Sequence, residues 1–152
     1  MKLIGRIREI QKLDKLVVST QSEFLAVYGR RRVGKTFLIR NYFKNEFDFY
    51  ATGLAKGNTK QQLTNFTIFI NNCFSNHHAV PSNWLEAFNL LIKELEKSKS
   101  AKKRVIFIDE MPWMDTKKSD FMMGLEFFCN SWASDQSDVL LIVCGSAASW
   151  ML

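Results

Sequence analysis

Apolar residues along this chain recur with two periods, and the alternation between them lays out its elements. Ile7, Ile10, Leu13 and Leu16 or Val17 fall at helical spacing, which predicts an amphipathic helix over residues 7–17 with Arg8, Lys12 and Lys15 on its solvated face. Residues 24–28 then form an unbroken apolar run closed by Gly29, the pattern of a short strand buried on both faces. The period turns helical again over 35–43, with Phe37, Leu38, Tyr42 and Phe43 as the buried face, and 47–51 reads as a second strand closed by Gly53. Residues 59–74 carry both signals: Leu63, Phe66, Ile70 and Phe74 are helically spaced while 66–70 has strand propensity, and length favours helix.

After a polar loop holding His77, His78 and Pro81, Asn83 and Glu86 fit a capping box. The helix it opens has an apolar stripe of Trp84, Leu85, Phe88, Leu91, Ile92 and Leu95, with Lys93, Glu94 and Glu96 outward. A basic turn over 97–103 leads to a third apolar strand, 105–108, which ends at Asp109 and Glu110. Ser119 is expected to start a helix with Phe121, Met122, Leu125, Phe128 and Trp132 on one side, and 139–143 is a fourth strand followed by Cys144, Gly145 and Ser146. Continuously apolar strands separated by helices predict an α/β three-layer sandwich, a parallel sheet with helices on both faces.

Composition narrows the class. A chain of 152 residues suits one domain, and 47% hydrophobic with 13% aromatic content excludes a disordered segment. No apolar run approaches the ~20 residues of a membrane span, and the first residues lack the apolar region of a secretory signal. With three Cys, an odd number without close pairing, this predicts a cytoplasmic location and no membrane partner. The net charge of +6 is uneven: residues 1–44 carry eleven Lys/Arg against three Asp/Glu, and the remainder ten against twelve. Such an excess raises nucleic acid as a partner, but Arg30, Arg31 and Arg32 lie inside a motif whose own ligand would account for them.

That motif is Gly29-Arg30-Arg31-Arg32-Val33-Gly34-Lys35-Thr36, which matches G-x-x-x-x-G-K-[ST] between a buried strand and a helix. Glycines let the backbone curl so that successive N–H groups face one anion, and the helix N-terminus adds its dipole. Lys35 is placed to reach the β- and γ-phosphates and the Thr36 hydroxyl to ligate Mg²⁺. The acidic end of the third strand agrees, since ligands of open α/β sheets bind beyond the carboxyl ends of strands. Asp109 suits the metal and its water shell; Glu110 suits the deprotonation of an attacking water. Ser146, with Ser149 second, could hydrogen-bond a γ-phosphate or cap the next helix.

In this order and spacing the motifs resemble the AAA-related branch of P-loop ATPases, and more narrowly the archaeal-type ATPase family also found in bacteria. The supporting stretches are Ile4-Gly5-Arg6 with Glu9 and Ile10, residues 28–36, 107–113 and 144–150. The resemblance implies ATP with Mg²⁺, Ile4 and Gly5 near the adenine, Asp109 on the metal, Glu110 as base and Ser146 as sensor. It also implies that residues 1–152 are a P-loop ATPase core lacking the family's final strand, lid, winged-helix and nuclease-like parts. The edge of the phosphate-loop strand would then be completed by that missing strand, or by an oligomer or partner chain. The family's arginine finger belongs to the absent part, so the expectation is an ATP-driven conformational switch with weak turnover alone. The alternative is a nucleotide-binding scaffold or DNA-associated regulator without significant hydrolysis. A guanine-recognition motif after the phosphate loop and the lid arginines of a small-molecule kinase are both missing from the sequence.

Overall fold

The structure is a computed structural model and describes residues 7–29, 34–98 and 102–146. Four parallel strands form one sheet in the order β1-β4-β3-β2, with β1 Glu23–Gly29, β2 Phe49–Thr52, β3 Arg104–Asp109 and β4 Val139–Ser146. The helices are α1 Ile7–Val18, α2 Lys35–Tyr42, α3 Thr59–Phe74, α4 Trp84–Glu96 and α5 Phe121–Ser131. The expected α/β sandwich is therefore present, and among the described residues β1 lies at an open edge.

Side chains alternate across the central strands and divide the core in two. Ile106 and Ile108 of β3 and Val139, Leu141 and Val143 of β4 pack beneath α3, α4 and α5. Val105, Phe107, Leu140, Ile142 and Cys144 point the other way, toward Leu13 of α1 and Ile39 of α2. The first face is largely aromatic: Phe66, Trp84, Phe88 and Phe121 sit with ring centroids 4.8–5.9 Å apart in edge and tilted pairs. At the amino-terminal end of β3, buried Arg104 grips Asp138 with two nitrogens at 2.8 and 2.9 Å, donates to the Leu95 carbonyl and stacks on Trp132. Removing Asp138 from such a pair costs about 3–5 kcal/mol, because the Arg104 charge stays buried. Lys103 donates to the carbonyls of Ser19 and Gln21 at the same end.

Several expected faces shift. On α4, Leu85 is 41% exposed and Glu94 only 3% exposed, the reverse of the expected stripe. Glu94 turns inward because Asn76, His78 and Lys97 each place a nitrogen 2.8 Å from its carboxylate, tying the 76–82 loop to α4 and leaving His78 half-buried. Asn83 caps α4 through the Glu86 amide, but the Glu86 carboxylate accepts from Ser82, so the box is not reciprocal. A reciprocal box occurs instead at Asn58 and Gln61 of α3. Helix α5 starts at Phe121, with the Ser119 hydroxyl accepting from the Phe121 amide, and its Met122 is exposed.

Hydrogen bonds, from Lys97 first and then from His78 and Asn76, outweigh burial and hold the Glu94 carboxyl at about 2, below the usual 4.5. A carboxyl lowered on folding stabilises the protein above its unfolded pKa, and that stability is lost as pH falls toward the folded one. The melting temperature should therefore fall between pH 4.5 and about 2, and fall less steeply in Glu94→Gln. Equal slopes by calorimetry would remove Glu94 from the acid transition.

Candidate functional site

The strand order brings the two halves of the sequence motif together. β4 runs between β1 and β3, with Val27 opposite Cys144, Gly29 opposite Ser146, and Ile108 opposite Val143. The carboxyl ends of β1, β4 and β3 therefore meet at one rim, where α2 begins and Asp109 ends its strand. Gly34 precedes α2 at φ 79° and ψ 17°, a left-handed conformation that glycine adopts without Cβ strain. Its carbonyl accepts from the Leu38 amide at 2.7 Å, so the helix opens at once with Lys35 and Thr36 in its first turn.

The central contact is the Thr36 hydroxyl donating to Asp109 Oδ2 at 3.0 Å. Lys35 is 8% and Asp109 5% exposed, so an ammonium and a carboxylate are both held at the rim with little solvent. The other oxygen of Asp109, Oδ1, accepts from the Glu110 amide at 2.9 Å. Glu110 sits at φ 50°, left-handed for a residue with a Cβ, a conformation that costs on the order of 1–3 kcal/mol. It starts the 3₁₀ turn Met111–Met114, and the Trp113 indole donates to Glu110 Oε2 at 3.1 Å.

Cys144 of β4 lies beside these groups. It is buried on the face of β4 turned toward Ile39 of α2, near enough to Lys35 and Asp109 to feel their charges. Burial first, then the Asp109 carboxylate, push its thiol up to about 12; Lys35 and Thr36 act the other way. Two signals could have found these partners. The period of two along β4 puts Cys144 on the same face as Leu140 and Ile142, and three residues is one turn of a 3₁₀ helix from Glu110 to Trp113.

Of the expected site residues, the structure thus brings together Lys35, Thr36, Asp109 and Glu110, with the backbones of Gly29, Gly34 and Ser146. Ile4, Gly5, Arg30, Arg31, Arg32, Val33 and Ser149 lie outside the described residues, as do the surroundings of the Ser146 side chain. Among the described residues no cluster of three or more His, Cys, Asp or Glu is placed to hold a metal. A hydroxyl and a carboxylate remain, a hard-oxygen pair that fits Mg²⁺ completing its shell with ligand oxygens and water.

A parallel α/β sheet with a glycine-lysine-threonine helix start facing an acidic strand end defines a nucleotide-binding fold of the phosphate-loop class. The chain belongs to the family described as an ATPase domain predominantly from Archaea, which it matches over residues 3–152. It is 28% identical over 109 residues to an uncharacterized protein of Methanocaldococcus jannaschii, covering 72% of this chain and 22% of that one. In fold it is similar to Cdc6p from Pyrobaculum aerophilum, with TM-score 0.62 and 16% identity over 97% of this chain and 41% of that one. It is also similar to a Walker-type ATPase of Pyrococcus abyssi, with TM-score 0.53 and 16% identity, covering 93% and 45%. The chain spans about a fifth of the first relative and less than half of each solved structure. It is an ATPase-type nucleotide-binding domain, and among the described residues no helix is long and apolar enough to cross a membrane.

A thiol pushed up to about 12 holds almost no thiolate near neutral pH. In the native protein at pH 8, Cys144 should resist iodoacetamide and become labelled only at the rate of unfolding. Mass spectrometry finding it modified as fast as a free thiol would place it outside the core.

Proposed function

We propose that this domain binds ATP with Mg²⁺ and hydrolyses it slowly, the bound state acting as a conformational switch on attached or partner elements in the cytoplasm. The observation that carries the reading is the 3.0 Å contact from Thr36 to Asp109, which joins the start of the phosphate-loop helix to the acidic strand end. When bound, Mg²⁺ would neutralise charge on the phosphate oxygens. Thr36 and Asp109 would hold it, the hydroxyl directly and the carboxylate directly or through water.

The chain's own groups supply the rest. Backbone amides of Gly29, Arg30, Arg31, Arg32, Val33 and Gly34, together with the α2 N-terminus, bind phosphate oxygens. Lys35, held with little solvent, binds the terminal phosphates as a point charge that water screens weakly. Glu110 takes the proton of the attacking water, and Ser146 reads the presence of the γ-phosphate by hydrogen bond. Ile4 and Gly5 pack near the adenine.

Calorimetric titration tests the binding step: Lys35→Ala should weaken Mg·ATP binding by at least about tenfold, the loss of one charge-assisted contact. Glu110→Gln should keep ATP affinity while stopping turnover, and wild type alone should turn over below roughly 1 s⁻¹. ATP and ADP binding alike with and without Mg²⁺ would defeat the reading. Binding of ATP with no turnover above that of Glu110→Gln would leave a nucleotide-binding scaffold, or a regulator using the exposed Arg8, Lys12 and Lys15 of α1 on nucleic acid.

The same proposal extends to the open edge of β1, which we read as paired in the intact protein by a further strand or a second chain. Support comes from its place at the end of the sheet order and from Phe24, 51% exposed on this strand. The outward amides of β1 should then be protected from hydrogen exchange in the intact protein; exchange at free-peptide rates would exclude pairing.

A further inference from the structure

Glu110 and Trp113 are joined twice. The Trp113 amide donates to the Glu110 carbonyl at 3.2 Å, and its indole Nε1 donates to Glu110 Oε2 at 3.1 Å. The turn between them is fixed from three sides. Met111 and Met114, 5% and 0% exposed, anchor it in the aromatic half of the core. Asp109 Oδ1 holds the Glu110 amide. The segment after β2 backs it: the Gly53 amide donates to the Asp109 carbonyl at 3.0 Å, and a Cβ on Gly53 would stand 2.5 Å from the Glu110 carbonyl oxygen.

A purely space-filling role does not account for the indole. Trp84 and Trp132 are buried with indole nitrogens that have no hydrogen-bond partner, so this fold accommodates unpaired indoles in its core. Trp113 is only half-buried, and its N–H is spent on the carboxylate at the rim. A donor on one carboxylate oxygen fixes the plane of the group and so the direction in which it meets a water. We infer that Trp113 is a positioning residue that orients the Glu110 carboxylate through its indole N–H. This rests on the reading of Glu110 as the group that activates water.

Two readouts separate the inference from that reading. In steady-state assays with Mg·ATP, Trp113→Phe should lower kcat about tenfold and leave KM within about twofold. It should add nothing to Glu110→Gln in a double-mutant cycle. In the ¹⁵N–¹H spectrum, the indole cross-peak missing from Trp113→Phe should move in Glu110→Ala and stay in His77→Ala. Should Trp113→Phe fail to fold, 3-benzothienylalanine at position 113 keeps the bicyclic shape and replaces the N–H with sulfur. A wild-type kcat in Trp113→Phe, where Glu110→Gln abolishes turnover, overturns the positioning role. A cross-peak indifferent to Glu110→Ala overturns it whether or not the protein turns over ATP. Absence of any Glu110-dependent turnover overturns the hydrolytic reading instead, and the cross-peak alone then decides the inference.

Discussion

The hydrogen bond from Thr36 to Asp109 joins residues 73 positions apart and spans β4, which is inserted between β1 and β3. β4 thus separates the phosphate-loop strand from the acidic strand, and its Cys144 lies close to Asp109. Crossovers on both faces follow, since parallel neighbours cannot be joined by a tight turn. The same arrangement dictates the composition of β3 and β4. With helices above and below, every side chain of β3 is buried, and the one charged group at each end has a specific partner: Arg104 with Asp138, and Asp109 with Thr36.

The fold was legible because such strands have no polar phase. The short apolar runs and the helical period between them identify α/β layering with little ambiguity, and α3 was found over its full extent. The errors fall where a polar group or the edge of a helix face decides. Glu94 reads as solvent-facing by period, yet Asn76, His78 and Lys97 satisfy its oxygens and let it turn inward, while Leu85 at the start of α4 lies beyond the reach of the core. Ser119 carries a capping residue's chemistry but uses its hydroxyl on the Phe121 amide, ahead of a helix that starts two residues later.

The site was legible in its contiguous part and obscure in its long-range part. Lys35 and Thr36 carry their chemistry locally, because a helix start needs only its own sequence. The meeting of Lys35 and Thr36 with Asp109 required the sheet order, which the resemblance supplied and periodicity could not. Cys144 and Trp113 escaped because neither residue type announces a polar role; strand phase and a turn of three residues per repeat assign them.

The anchors at the far end of the sheet give the layers an uneven stiffness. Arg104 locks β3 to Asp138 and the end of α4, and Lys103 closes on the carbonyls after α1, so the layers are bound along one margin as pages are at a spine. The opposite margin carries a lighter fastening of side chains: Thr36 reaches Asp109 through one hydroxyl, and Glu110 meets Trp113 within a single turn. A ligand seated at that margin would therefore act on the end of the sheet farthest from the Arg104 clasp.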